Sequence, residues 1–148
     1  MKMADIKTSS IATKDAQSTT LGVFETAYFP EFSDNIVSIK IDTGAYTGAM
    51  HATKIRVATI NGNTKLEFAP FGGDKLVRVS DFRRSSVTSS NGSTATRYFI
   101  DTVIVLRGVR YNITISLADR GKMKYPVIIG RKFLRANNLV IDPNGQSQ

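Results

Sequence analysis

Residues 39–52 read IKIDTGAYTGAMHA. Ile39 and Ile41 alternate with polar or charged neighbours, the period of a half-buried strand. That strand runs into an acid, Asp42, followed by Thr43, Gly44 and Ala45. Asp-Thr-Gly suits a turn on any protein, so Asp42 could simply shape a bend. Alternatively the strand holds it for chemistry. A solitary exposed carboxylate is a weak base at neutral pH and has no proton to give. Two carboxylates forced together share one proton, so that one activates water while the other protonates a leaving group. Asp-Thr-Gly occurs once in the chain, so a catalytic pair requires a second copy across a two-fold axis.

Outward from this stretch the chain reads as short strands. Upstream, LGVFETAYF (21–29) is β-branched and aromatic and closes at Pro30, and IVSIKI (36–41) leads into Asp42. Downstream, KIRVATING (54–62) ends in Asn61-Gly62, a hairpin signal because both residues tolerate positive φ, with TKLEFAPF (64–71) as its partner. KLVRV (75–79) resumes extended structure after Gly72-Gly73-Asp74. Residues 83–100, RRSSVTSSNGSTATRYFI, centre on Asn91-Gly92 and have few apolar anchors, so a polar hairpin standing off the core is expected. In VRYNITISL (109–117), Tyr111, Ile113, Ile115 and Leu117 share one face, and Arg110, Asn112, Thr114 and Ser116 the other. YPVIIG (125–130) suits a strand buried on both faces, RKFLRANN (131–138) a helical turn anchored by Phe133 and Leu134, and LVIDP (139–143) a last strand. The pattern predicts an all-β barrel or sandwich with almost no helix. Residues 1–20, rich in Ser, Thr and Lys, are expected as a mobile tail, residues 21–143 as one domain and residues 144–148 as a frayed end.

At 148 residues the chain is long enough for one real core. It has no cysteine and no apolar run long enough for a membrane helix or a secretory signal, which points to the cytoplasm and away from a membrane. The net charge of +8 is uneven: residues 1–74 carry 7 basic and 8 acidic side chains, residues 75–135 carry 13 and 3. A basic half attracts anionic partners, and Arg83, Arg84, Arg97, Lys122 and Lys124 would favour an acidic peptide if they faced a cleft. A non-catalytic basic barrel that binds peptide or nucleic acid is the competing reading, although no nucleic-acid motif accompanies the charge.

IDTGA at 41–45, with PVIIGRKFL at 126–134 in the right order behind it, resembles the two signatures of retropepsin-like aspartic proteases. The resemblance covers residues 21–143. It implies a retropepsin-like closed acid-protease barrel, active as a two-fold homodimer, with Asp42 catalytic and Thr43, Gly44 and Ala45 forming the active-site loop. It further implies a substrate-binding flap at Ser89, Ser90, Asn91, Gly92 and Ser93. Ile128, Ile129, Gly130 and Arg131 would support the loop from behind, with Gly130 allowing close backbone approach. Thr43 would bond across the dimer and Arg131 would make a salt bridge there, yet Tyr46 occupies the position where retroviral relatives carry the acidic partner. With KIDTGAYTGAMHA and LADRGKMKYPVIIGRKFL, the chain is similar more narrowly to bacterial retropepsin-like proteins often labelled ATP-dependent zinc proteases, some of which accompany glutamate ligases and are implicated in removing glutamate residues.

The label does not fit the residues. His51 is the single histidine, no His-Glu-x-x-His is present, and no Gly-x-x-x-x-Gly-Lys-Ser/Thr loop serves ATP, so no metal, ATP or other cofactor is expected. His51 itself reads as structural more readily than as a substrate contact. Ala45 offers no hydroxyl to the carboxylate, so the resemblance implies activity at mildly rather than strongly acidic pH. The expected reaction is hydrolysis of a peptide bond, within a protein or in a glutamyl tail.

Overall fold

The computed structural model describes residues 19–88 and 91–145. In chain order these form β1 (Thr19–Leu21), β2 (Phe24–Tyr28), β3 (Val37–Ile41), β4 (Gly48–Ile60), β5 (Asn63–Pro70) and β6 (Val77–Val79). There follow β7 (Phe82–Thr88), β8 (Thr94–Leu106), β9 (Val109–Ala118), β10 (Val127–Ile129), the helix α1 (Arg131–Ala136) and β11 (Leu139–Ile141).

Six strands close on themselves in the order β9, β8, β2, β3, β10, β4, and β4 returns to β9. Closure removes the open edges that a sheet would otherwise expose. The contact that closes the ring is parallel, Ser116 to Ala49 through Ala118 to His51. β10 fills the gap between β3 and β4, parallel to the first (Ile129 beside Ile41) and antiparallel to the second (Ile129 beside Gly48). Alternation then decides the interior. Ile39, Met50, Ile100, Ile104, Ile115, Val127 and Ile129 are almost wholly buried, and Tyr111 meets Phe133 of α1 edge-on, ring centroids 5.4 Å apart. β7 and β8 run out as a two-stranded arm, paired from Phe82 with Ile100 to Thr88 with Thr94. β5 and β6 extend the sheet beyond β4.

The structure departs from the sequence expectations at four places. The stretch 21–29 is two strands, because the chain bends at Val23, where Gly22 N–H donates to Glu25 Oε2 at 2.8 Å across the bend. β1 begins at Thr19, inside the stretch expected as tail, and pairs in parallel with β11 (Thr19 beside Leu139, Leu21 beside Ile141). Residues 1–18 lie outside the described residues. β4 starts at Gly48 and absorbs MHA into a strand of 13 residues; a bulge between Thr53 and Arg56, with Lys54 at φ 53°, interrupts its alternation. Ser116, expected on the polar face, is buried where β9 meets β4, and its hydroxyl donates to Gly48 O at 2.8 Å.

Two buried acids lock the periphery. Glu25 receives Arg107 Nη2 at 2.7 Å, and Glu67 receives Arg56 Nε and Arg78 Nε, each at 2.8 Å, from the strands on either side of β5. Those two arginine hydrogen bonds hold the Glu67 carboxyl below the ordinary value of 4.5. Folding therefore favours the ionised form: the stabilisation is complete above about pH 4.5 and is lost as pH falls through the lower folded value. Glu67→Gln is expected to melt at lower temperature than the wild type at pH 7, with the gap narrowing below pH 4.5. Thermal melts across pH check this.

Candidate active site

Asp42 follows directly on β3, and its N–H donates to Ile129 O at 2.8 Å, continuing the pairing with β10 by one residue. The chain then turns. Gly44 N–H donates to Asp42 Oδ1 at 3.0 Å and Ala45 N–H to Asp42 O at 3.1 Å. One carboxylate oxygen is thereby fixed by the main chain, and Oδ2 has no hydrogen-bond partner among the described residues. The group is half-buried, at the end of a strand held on both sides.

What lies beneath the loop explains its shape. A Cβ on Gly130 would collide with Tyr46 O and stand 2.8 Å from Ala45 O. Because no side chain is there, Arg131 N–H reaches Ala45 O at 2.8 Å and Lys132 N–H reaches Tyr46 O at 2.9 Å. These are first-turn donors of α1, which has no side-chain cap at Gly130. The Asp42 loop is the cap: its carbonyls satisfy N–H groups that the helix cannot. Gly48, at φ +85°, allows a second close approach, since a Cβ there would stand 2.5 Å from Ile128 O. The expected supporting strand is thus found directly under the loop, with Ile128 half-buried and turned to the cleft described next.

That cleft, about 330 Å³, is lined by residues 45–49 together with Arg97, Phe99, Ser116, Arg120 and Ile128. Arg97 and Phe99 lie at the root of the β7–β8 arm, which stands next to the Asp42 loop. Arg120 is half-buried; burial and the neighbouring Arg97 charge disfavour its ionised form, while the charge of Asp42 favours it. Its N–H donates to His51 Nδ1 at 2.8 Å and its Nε to Tyr125 O at 3.1 Å.

The other expected residues sort as follows. Asn91, Gly92 and Ser93 are at the exposed tip of the arm, with Gly92 at φ +88° and Ser93 N–H on Asn91 Oδ1; Ser89 and Ser90 lie outside the described residues. Thr43 is exposed, and its carbonyl accepts Arg131 Nη1 at 2.9 Å. Arg131, expected in a salt bridge, makes that bond and lies 5.7 Å from the centroid of the Tyr46 ring. An aromatic ring has replaced the missing acid as its neighbour. His51 anchors the loop that bears Arg120. Arg83 pairs with Asp101 at 3.3 Å, and Arg84, Lys122 and Lys124 are exposed. Of the cations expected at a cleft, Arg97 alone lines this one. Arg120 and Ser116 were missed, because a turn residue and a serine on an alternating face carry no signal of the barrel closure that brings them together.

Comparison with known proteins agrees with this fold. Residues 20–147 match the family model RimB-like, described as retropepsin-like aspartic endopeptidase RimB. Nothing in that match supports the zinc label of the narrower bacterial group. Curated relatives include proteins named "Probable alpha-L-glutamate ligase" from Shewanella pealeana (29% identical, covering 84% of this chain) and Desulfotalea psychrophila (27%, covering 83%). The chain spans 28% of the length of each. A crystal structure of a Legionella pneumophila protein of unknown function superposes with a TM-score of 0.71 at 24% identity, covering 89% of this chain and 98% of that one, a likeness of fold. Gly130→Ala is expected to destabilise the protein by about 3 kcal/mol, because backbone rather than a movable side chain must yield. Urea unfolding measures it.

Proposed function

The chain belongs to the RimB-like family of retropepsin-like aspartic endopeptidases, and we propose on that premise that it is an aspartic peptidase whose catalytic carboxylate is Asp42. The observation that carries the reading is the carboxylate itself. It is half-buried, fixed through Oδ1 by Gly44 N–H, and set in a loop that borders a cleft beside a two-stranded arm.

Two copies of the chain meet with their Asp42 loops facing, and the pair holds one water between the carboxylates. The ionised Asp42 takes a proton from that water as its oxygen attacks the scissile carbonyl carbon. The protonated Asp42 of the other copy donates to the carbonyl oxygen. Collapse of the resulting gem-diol returns a proton to that carboxylate pair and passes one to the leaving nitrogen, so the dyad ends as it began. No acyl-enzyme forms. The arms close over an extended peptide, bond to its backbone and exclude water.

A substrate rich in glutamate is the more specific reading. An α-glutamyl bond is an ordinary peptide bond, so the dyad needs no change to cut it. Two observations favour it: the arginines in the cleft, and the relatives' name, which describes enzymes that would make the linkage such a peptidase removes.

Asp42→Asn is expected to lower peptide cleavage by roughly a thousandfold or more, as loss of a catalytic group does, with the circular-dichroism spectrum and solution scattering unchanged. Peptide-library cleavage mapped by mass spectrometry across pH checks it. Residual activity of wild-type size in the variant, or a wild-type protein that stays monomeric while cutting, overturns the reading. A nucleic-acid affinity indifferent to the substitution would support the competing basic-barrel reading instead.

A further inference from the structure

The arginines of the described chain fall into four groups. Arg56, Arg78, Arg83 and Arg107 are ion-paired with Glu67, Asp101 or Glu25. Arg84, Arg110 and Arg135 are exposed to water. Arg131 bonds to Thr43 O beneath the loop. Arg97 and Arg120 are different: both are half-buried, both line one cleft, and neither has a carboxylate within ion-pair distance among the described residues. The charge of Asp42 reaches Arg120 without forming an ion pair, and two cations drawn partly out of water and set side by side gain from a further anion.

Their heads are also held in place. Arg120 is anchored at Nε by Tyr125 O (3.1 Å), which leaves its two terminal nitrogens free to form a fork. Its backbone is pinned to His51 Nδ1. Arg97 Nη1 touches Ser116 Oγ at 3.5 Å, and that hydroxyl is itself fixed on Gly48 O. A planar guanidinium with its terminal N–H groups unengaged matches a carboxylate. Phe99 and Ile128 add apolar surface to the same cleft, which suits a methylene stem. The loop 45–49 that completes the cleft continues directly from Asp42.

We propose that Arg97 and Arg120 form a carboxylate-binding subsite beside the Asp42 loop, which takes the acidic side chain of a peptide residue next to the bond being cut. This rests on the peptidase reading and adds to it the residues that set specificity. Arg97 and Arg120 select the substrate, and Asp42 cuts it.

The test uses the full chain and peptides blocked at both ends, so that an acidic side chain is the sole carboxylate offered, in pairs that differ by Glu or Gln beside the mapped cleavage site. Cleavage is measured for wild type, Arg97→Gln, Arg120→Gln and, as a control that removes the same charge elsewhere, Arg110→Gln. Binding of the same peptides to Asp42→Asn, alone and combined with each arginine change, is measured by fluorescence anisotropy. Wild type and Arg110→Gln are expected to prefer the Glu peptide by roughly ten- to hundredfold in kcat/KM, the worth of a hydrogen-bonded charge. Arg97→Gln and Arg120→Gln are expected to lose most of that ratio, chiefly through KM. Damage to the fold would lower both peptides alike and leave the ratio standing. A wild-type ratio near one, or a ratio that survives both arginine changes, overturns the subsite while Asp42-dependent cleavage upholds the peptidase reading. No cleavage of either peptide, with Glu-selective binding that the arginine changes abolish, does the reverse. Neither cleavage nor selective binding overturns both.

Discussion

The absence of a side chain at Gly130 is the constraint on which the site depends. With hydrogen there, the carbonyls of Ala45 and Tyr46 rest on the first turn of α1 and accept its free N–H groups. The loop carbonyls need donors beneath them as the helix N–H groups need acceptors above them, and each meets the other's unmet hydrogen bonds. β10, pinched between β3 and β4, fixes the height at which this happens, and Ile129 O receives Asp42 N–H. A carboxylate on an ordinary surface turn would wander by more than the proposed chemistry tolerates. Here strand, loop and helix immobilise it from three sides.

Legibility in the sequence followed the range of the interactions. Alternation within a strand is local, so β3, β9 and the buried face of Tyr111, Ile113, Ile115 and Leu117 could be read directly. So could the hairpin at Asn61-Gly62, whose positive φ values of 53° and 81° are a property of two adjacent residues. The bulge at Lys54 was hidden, since a non-glycine at positive φ has no compositional mark, and with it went the true length of β4. The pairing of Asp42 with Gly130 was visible through resemblance alone, because 88 residues separate the two segments. Arg120 was not visible at all. Its place depends on the parallel closure of β9 on β4 and on a histidine nitrogen of that neighbouring strand.

Charge illustrates the difference between composition and geometry. The excess of cations in the second half of the chain suggested a basic face, yet three of its arginines, Arg78, Arg83 and Arg107, are spent on Glu67, Asp101 and Glu25. What remains relevant at the cleft is a pair, Arg97 and Arg120, one foreseen and one not. Arg131 makes the same point in reverse. Deprived of an acid at position 46, it turned to a carbonyl and an aromatic face rather than to solvent.

The parallel pairing of β1 with β11 has a consequence for regulation by concentration. The first and last described strands find their partners inside one polypeptide, so no exchange of segments with a neighbour is needed for either to be hydrogen-bonded. Under the two-carboxylate mechanism proposed above, folding and activation would then be separate events. Each copy would fold on its own strands yet supply half of the dyad, so dilution would act as a reversible off-switch.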